Sequence, residues 1–276
     1  MAGLESQRIG LLGAGAMGEA LAGGLVAAGV PANRLRAADP DAAQRERVAR
    51  SLGIEVTADN AAVVRGSDVV VIAVKPSIVA RALNGLRKEA SDAIAGPLWI
   101  SIAAGVSLAR LAADLPPGAR IVRAMPNTPA LVREGATAFA ANASASAADR
   151  AVAKAIFESV GFAWEAPDEA LLDAVTGLSG SGPAYVFVFL EALADAGVRA
   201  GLPREAAHRL ACQTVLGAAK LALQSGLHPG QLKDRVTSPG GTTIAGLARL
   251  EAGGFRAAVL EAVAAAALRS KELGGS

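Results

Sequence analysis

A glycine-rich turn near the start of the chain constrains the fold more than any other feature. The apolar run 8–12 is followed directly by residues 13–18, Gly-Ala-Gly-Ala-Met-Gly, and then by a segment of helical composition. In this order Gly13 permits a tight turn, Gly15 lets the backbone approach a diphosphate, and Gly18 lets the helix pack against the strand. The N–H groups at the helix start would face phosphate oxygens. The segment predicts a dinucleotide-binding strand–turn–helix unit, the alternative being a tight turn without a ligand.

Short apolar runs alternate with helical segments up to about residue 165. The runs are continuous rather than alternating, which is typical of strands buried on both faces. They recur at the spacing of βαβ units, roughly 30 residues. The predicted strands are 8–12, 35–38, 68–74, 98–102, 120–125 and 161–165, and the helices between them are 19–28, 42–52, 78–86 and 108–113. This order predicts an α/β fold with a doubly wound parallel sheet.

The chain changes character after about Glu169. Ala-rich amphipathic segments at 183–197, 204–224, 242–252 and 255–273 replace the apolar runs, and they predict an all-helical region. The turn 165–168, Glu-Ala-Pro-Asp, separates the two kinds of sequence. We therefore expect a dinucleotide-binding domain of residues 1–166 and a helical domain of residues 167–276.

Composition argues against several classes of function. One cysteine and two histidines cannot build a tetrahedral metal site within one chain, so no metal is expected. The 27 basic and 25 acidic side chains are spread along the sequence, which argues against a nucleic-acid partner. The longest uncharged run, 174–190, has 17 residues interrupted by three glycines and a proline, whereas a membrane-spanning helix needs about 20 apolar residues. With no signal-peptide pattern at the start, we expect a cytoplasmic protein.

Asp39 ends the second predicted strand, 21 residues after Gly18. A carboxylate there commonly accepts hydrogen bonds from the adenosine ribose and favours NAD over NADP, because it repels a 2′-phosphate. Arg36 or Arg45 would compensate if either faced the phosphate. The alternative role for Asp39 is the N-cap of the helix that follows Pro40.

Four further segments place small or polar residues at strand ends and helix starts. Residues 74–77 and 101–105 follow strands at the carboxyl edge of the sheet, where open α/β folds bind ligands. In the segment 125–129, two prolines hold Asn127 in a rigid backbone. The segment 237–243, Thr-Ser-Pro-Gly-Gly-Thr-Thr, offers hydroxyls and free N–H donors to a carboxylate. With no nucleophile elbow, P-loop or HExxH motif present, these segments favour hydride transfer from a nicotinamide cofactor.

Together the motifs resemble the pyrroline-5-carboxylate reductase family over essentially the whole chain. They are residues 13–18, 73–76, 125–129, 174–185 and, most specifically, 232–247. The resemblance implies a Rossmann domain followed by a helical dimerisation domain that intertwines with its twofold mate, and dimers that often form decamers. It implies reduction of the small molecule 1-pyrroline-5-carboxylate to L-proline, the last step of proline biosynthesis, with NADPH or NADH.

The resemblance also implies the site residues. Thr243 would be catalytic, with its hydroxyl hydrogen-bonded at the substrate nitrogen. The expected substrate-binding residues are Ser238, Gly241, Thr242, Thr243 and Glu169. The expected cofactor-binding residues are Gly13, Ala14, Gly15, Ala16, Met17, Gly18, Asp39, Asn60, Ala73, Val74, Lys75, Pro76, Ala103 and Asn127. The chain departs from the family at 37–40, Ala-Ala-Asp-Pro, where many members carry Ser, Thr, Asn or Arg that accommodate the 2′-phosphate of NADPH.

Two related enzyme classes and one binding protein are the alternatives. β-Hydroxyacid dehydrogenases share the two-domain architecture but use a lysine on the first helices of the second domain. The helices from 169 to 209 contain no lysine, which favours imine over alcohol chemistry. An imine reductase for bulkier amines is an open alternative. A dinucleotide-binding sensor would need no substrate loop, and both 125–129 and 237–243 weigh against it.

Overall fold

The computed structural model describes residues 4–274 as two compact units. Unit 1 comprises the chain up to Ser181 together with the end of the last helix from Ala265, and unit 2 comprises Gly182–Ala264. The strands, all in unit 1, are β1 (Ile9–Leu12), β2 (Leu35–Ala38), β3 (Glu55–Thr57), β4 (Val69–Ile72), β5 (Leu98–Ser101), β6 (Arg120–Met125), β7 (Gly135–Ala141) and β8 (Gly161–Glu165). The helices of the sheet region are α1 (Ala16–Ala27), α2 (Ala42–Leu52), α3 (Asn60–Arg65), α4 (Pro76–Glu89), α5 (Leu108–Asp114), α6 (Ala147–Glu158) and α7 (Leu171–Val175).

One eight-stranded sheet runs through unit 1 in the order β3-β2-β1-β4-β5-β6-β7-β8. Every neighbouring pair is parallel except β6 and β7, where Met125 pairs with Ala138 in antiparallel register. The expected doubly wound α/β sheet is confirmed, with this one antiparallel pair as a correction. The sequence pattern did not predict β3 or β7, because β3 has only three residues and the Ala-rich β7 has low intrinsic strand propensity.

Two apolar clusters cover the two faces of the sheet, as the continuous apolar runs predicted. Strands β1, β4 and β5 are buried at every position. Trp99 on β5 is fully buried, and its indole N–H donates to the carbonyl of Ile94 at 3.1 Å. Since both faces are covered, a ligand can approach the sheet only along its edges.

The boundary expected between residues 166 and 167 falls inside unit 1. The short helix α7 belongs to this unit because Leu172 is fully buried against Ala138 and Ala140 of β7. A π-helical turn, Thr176–Gly180, follows α7 directly, and unit 2 begins after it. The division between the two compact units lies about 15 residues after the proline-containing turn. The domain boundary expected between residues 166 and 167 stays a prediction.

Unit 2 is all helical, as predicted. Its helices are α8 (Gly182–Arg199), α9 (Arg204–Ser225), α10 (Pro229–Arg235), α11 (Thr242–Ala252) and the first part of α12 (Phe255–Gly274). The hydrophobic residues buried within this unit are three alanines, Ala194, Ala207 and Ala211. Large apolar side chains are exposed instead, with Leu223 at 85% and Leu260 at 72% of their full accessibility. Exposure on this scale marks an association surface.

The helical run Leu171–Arg199 is long and apolar enough, by length and composition alone, to cross a membrane. At its start Leu172 and Gly177 are buried within unit 1, and 11% of its most apolar window is buried. Pro183 follows the π-helical turn and interrupts the continuous hydrogen-bonding pattern.

Candidate active site

The glycine-rich turn joins β1 to α1 in the expected strand–turn–helix order. Gly13 has φ +100°, and a Cβ there would lie 2.8 Å from the carbonyl oxygen of Ala73. A Cβ at Gly18 would lie 2.3 Å from the carbonyl oxygen of Gly13. No heavy atom lies within 4 Å of the Cβ position of Gly15, so this residue faces open space. The turn therefore provides a close approach for a diphosphate beside an uncapped helix start.

A groove of about 510 Å³ lies beside this turn in unit 1. Its volume is in the range of small-ligand sites. Seven of the residues expected to bind the cofactor line it: Gly13, Gly15, Asp39, Asn60, Ala73, Val74 and Lys75. Lys75 is exposed and stands at the start of α4, where it presents a cation to the groove. The groove thus combines a phosphate-binding turn, an acceptor for hydroxyl groups and a positive charge.

Helix α4 contributes a wall of the groove that the sequence analysis missed. Its groove-lining residues are Ile78, Arg81, Ala82, Gly85, Leu86 and Glu89. They recur at intervals of three or four and so share one helix face. This spacing begins directly after the helix start at Pro76, and the face includes two small residues, Ala82 and Gly85. These two features of the sequence could have predicted that α4 lines the groove.

Asp39 is held by two backbone N–H groups. Its Oδ2 accepts from Ala14 at 2.9 Å, and its Oδ1 accepts from Asp41 at 3.0 Å. The N-cap of α2 is Asp41, whose carboxylate accepts from Ala43 at 2.9 Å. The alternative interpretation of Asp39 as the helix cap is therefore wrong, and the side chain instead joins the end of β2 to the glycine-rich turn.

Asn127 is buried, and its amide is used inside unit 1. The side-chain oxygen accepts from the N–H of Ala136 at 2.8 Å, and the amide nitrogen donates to the carbonyl of Ser179 at 3.0 Å. One amide hydrogen is left for a ligand. Asn127 thus ties the segment 125–129 to the π-helical turn, a kind of turn that is frequent at functional sites. The segments 125–129 and 174–185, which are separate motifs in the sequence, are therefore in contact here. The Cε of Met125 lies 2.8 Å from the position that a Cβ of Gly180 would occupy.

Ala103 and Pro76 lie outside the dinucleotide groove. Ala103 is buried, and its N–H donates to the hydroxyl of the fully buried Ser101 at 3.3 Å. Pro76 lines a second groove of unit 1, about 790 Å³, with residues 104–107 after β5. Both residues follow strands at the same sheet edge as the glycine-rich turn.

Glu169 makes polar contacts within unit 1, and its expected place near the substrate stays a prediction. Its Oε1 lies 2.8 Å from Nη1 of Arg123 on β6 and accepts from the N–H of Leu108 at 2.8 Å. Arg123 is 8% exposed and pairs in register with Ser101 on the neighbouring strand. Through these two contacts Glu169 holds the start of α5 against the sheet.

Glu169→Gln is expected to destabilise the protein by about 2 kcal/mol, because it leaves the buried guanidinium of Arg123 without a counter-charge. The matched control is Glu165→Gln, which removes a half-exposed ion pair with Arg150 (3.5 Å) and is expected to cost less than about 0.5 kcal/mol. Urea unfolding of both variants measures the difference. An equal decrease in the free energy of unfolding in the two variants would show that burial does not strengthen the ion pair between Glu169 and Arg123.

In unit 2 the segment before α11 forms a tight turn with an open helix start. Gly240 has φ +68°, and the N–H of Gly241 donates to the carbonyl of Ser238 at 3.1 Å. Gly241 is the N-cap residue, and no side chain caps the first turn of α11. The N–H groups of Thr242 and Thr243 are therefore oriented donors for an anion. Four of the five expected substrate-binding residues lie in this one turn.

Within residues 4–274, no cluster of three or more His, Cys, Asp or Glu side chains is placed to hold a metal ion. His208 and Cys212 approach each other on α9 with Nε2 and Sγ 3.8 Å apart. Two ligands are too few for a structural or catalytic metal site.

A mostly parallel sheet with a glycine-rich dinucleotide turn after β1, followed by a helical unit, defines a nicotinamide-dependent oxidoreductase. Residues 169–273 match the family model "Pyrroline-5-carboxylate reductase dimerisation", and residues 8–105 match "NADP oxidoreductase coenzyme F420-dependent". The pyrroline-5-carboxylate reductase of Methanosarcina acetivorans is 49% identical over 98% of this chain and 99% of its own. The pyrroline-5-carboxylate reductase of Arabidopsis thaliana is 49% identical over 99% of this chain and 97% of its own.

Solved structures agree with the sequence relatives. A pyrroline-5-carboxylate reductase from Coxiella burnetii superposes with a TM-score of 0.91 at 38% identity, covering 97% of this chain and 98% of that one. The Plasmodium falciparum pyrroline carboxylate reductase with NADP bound superposes with a TM-score of 0.86 at 36% identity, covering 99% of this chain and 100% of that one. The chain belongs to the pyrroline-5-carboxylate reductase family. The resemblance drawn from five sequence segments is confirmed, and the dimerisation match accounts for the exposed apolar surface of unit 2.

Proposed function

We propose that this chain reduces 1-pyrroline-5-carboxylate to L-proline with NADPH or NADH. The observation that carries the proposal is the open start of α11, where Thr242 and Thr243 stand in the segment 232–247 that most specifically resembles the family. Relatives 49% identical over nearly the whole chain are named pyrroline-5-carboxylate reductases. The absence of lysine between 169 and 209 disfavours a hydroxyacid dehydrogenase.

The residues of unit 1 fit a dinucleotide. Gly15 leaves open space at the start of α1, so the N–H groups there would meet phosphate oxygens. Asp39 would accept hydrogen bonds from the ribose, and Lys75, at the start of α4, would supply a positive charge to the phosphates. Ala103 and Asn127 complete the expected nicotinamide side. When bound, the cofactor supplies the hydride.

The substrate needs orientation more than acid catalysis. A protonated cyclic imine is already an electrophile, so the protein must hold its carbon in line with the hydride donor and neutralise its carboxylate. Ser238, Gly241 and the N–H groups of Thr242 and Thr243 would hold the carboxylate. The hydroxyl of Thr243 would hydrogen-bond the ring nitrogen. Proximity and orientation account for most of the rate enhancement in such a site.

The assembly proposed is a homodimer that forms through the helical unit and associates further into a decamer, in the cytoplasm and without membrane or nucleic-acid partners. The exposed apolar side chains of unit 2 support the dimer, because three buried alanines cannot stabilise five helices on their own. Light scattering after size-exclusion chromatography is expected to give a mass of at least twice the 27.5 kDa chain. A monomer at micromolar concentration would contradict the assembly.

The activity is tested by following the oxidation of NADH and NADPH by absorbance. Racemic 1-pyrroline-5-carboxylate is the substrate, and a larger cyclic imine is the control. Fast oxidation with the first and slow oxidation with the second is expected. A preference for the larger imine would favour a broader imine reductase, and no oxidation despite cofactor binding would favour a sensor.

A further inference from the structure

Two carboxylates occupy the backbone donors at the end of β2 and the start of α2. Asp39 accepts from the N–H groups of Ala14 (2.9 Å) and Asp41 (3.0 Å). Asp41 in turn accepts from Ala43 at 2.9 Å and from Gln44 at 3.5 Å. This is the place that faces the adenosine ribose of a dinucleotide bound at the glycine-rich turn. The N–H groups that would otherwise receive an added phosphate there are thus already bonded to the protein's own anions.

The two arginines that the sequence suggested as compensation, Arg36 and Arg45, make contacts outside the groove. The Nε of Arg36 lies 3.0 Å from the carboxylate of Glu55, so its charge is compensated on β3. Arg45 donates through Nη1 to the backbone carbonyls of Asp39 at 3.0 Å and of Pro40 at 2.9 Å. Neither residue is among those that line the groove, whereas Asp39 is, and Asp41 lies beside it with its N–H bonded to the Asp39 carboxylate. The cations that do line the groove, Lys75 and Arg81, belong to α4 and its N-cap rather than to the end of β2. The arginine compensation that the sequence left open therefore has no support in this geometry.

We propose that Asp39 and Asp41 make this chain select NADH over NADPH. The ribose 2′-hydroxyl of NADH is a hydrogen-bond donor, which the Asp39 carboxylate accepts. The 2′-phosphate of NADPH carries only acceptor oxygens and negative charge, and it requires N–H donors or a guanidinium. At the end of β2 it meets the carboxylate of Asp39, with that of Asp41 two residues further along the chain, whereas the guanidinium in the groove lining, Arg81, lies on α4. The inference rests on the proposed function and adds the cofactor preference of the same site.

The preference is tested first on the unaltered protein by calorimetric titration. NAD⁺ is expected to bind at least about tenfold more tightly than NADP⁺, since like charges placed side by side cost at least that factor. Adenosine 5′-monophosphate and adenosine 2′,5′-bisphosphate isolate the effect of the added phosphate and are expected to show the same order. Equal or tighter binding of the 2′-phosphorylated ligands would overturn the proposal without any variant being made.

The variant Asp39→Asn/Asp41→Asn removes both charges while keeping a hydrogen-bond acceptor directly after β2 and a good N-cap residue for α2. Its NADP⁺-to-NAD⁺ affinity ratio is expected to rise at least about tenfold. The matched control is Asp59→Asn, which neutralises the N-cap of α3, where the carboxylate accepts from Ala61 at 2.8 Å and from Ala62 at 3.1 Å. The control should leave the ratio unchanged. An unchanged ratio in the double variant, or an equal shift in the control, would overturn the assignment to Asp39 and Asp41.

The experiments distinguish an error in the proposed reaction from an error in the proposed cofactor preference. If NAD⁺ binds more tightly but neither NADH nor NADPH is oxidised by 1-pyrroline-5-carboxylate, the proposed reaction is wrong and the preference stands. If both cofactors support the reaction with equal kcat/KM and equal affinity, the reaction stands and the preference is wrong.

Discussion

Thr243→Ala is expected to lower kcat for imine reduction about 100-fold, with the affinity for the dinucleotide unchanged. Loss of one positioned hydrogen-bonding group at a reacting centre typically has an effect of this size. Thr243 is half-buried in the uncapped first turn of α11, in unit 2, whereas the dinucleotide groove is built from residues of unit 1. Steady-state kinetics give kcat and KM, and calorimetric titration gives the dinucleotide affinity.

Two controls accompany this prediction. Thr243→Ser keeps the hydroxyl and is expected to restore most of the activity. Thr214→Ala removes an exposed hydroxyl that donates to the carbonyl of Leu210 on α9, and it should leave kcat unchanged. Full turnover in Thr243→Ala would show that this residue serves only as a helix-start residue.

Gly18→Ala is expected to destabilise the protein by about 2 kcal/mol and to weaken dinucleotide binding strongly. The new Cβ would lie 2.3 Å from the carbonyl oxygen of Gly13, and a backbone atom cannot move aside without opening the turn. The helix would shift away from the strand, and its N-terminal N–H groups would no longer point toward the phosphates of a bound dinucleotide. Urea unfolding measures the stability, and titration with NAD⁺ and NADP⁺ measures the binding.

The same substitution five residues later in the helix should act in the opposite direction. Gly23 lies in the same helix, and the nearest atom to its added Cβ is Cδ2 of Leu52 at an ordinary 3.5 Å. Gly23→Ala is therefore expected to stabilise the protein by up to about 1 kcal/mol through helix propensity. If both variants were stabilised, the contact between α1 and the glycine-rich turn would not limit the fold.

The local elements were predictable from the sequence where a single physical cause acts over a few residues. The ranges 35–38, 120–125 and 161–165 were predicted with the bounds that the structure shows, because each apolar run ends at a turn residue or a charge. Ser146 caps α6 through a reciprocal pair of hydrogen bonds with Asp149, an arrangement that depends on residues only three apart. Strand β7 was missed, because its Ala-rich segment becomes a strand only by pairing with β6 and β8.

The residues of the candidate site also divide into those whose local conformation the sequence predicted and those whose contacts only the fold determines. The glycine-rich turn, Asp39 at the end of β2 and the hydroxyl-rich start of α11 were identified from the sequence, because each depends on neighbouring residues and on the backbone conformation they favour. The role of Glu169 depends on Arg123, 46 residues earlier in the chain, and no local pattern reports such a partner.

The sequence by itself determined the α/β order, the family and the position of the dinucleotide turn, since these follow from local hydropathy, glycine placement and motif. Only the tertiary structure decided that Asp39 bonds to Ala14, that Arg36 and Arg45 face elsewhere, and that Glu169 supports the sheet. The physical reason is that hydrogen bonds and ion pairs are short-ranged, so a polar residue's role depends on which distant segment the fold brings to within about 3 Å of it.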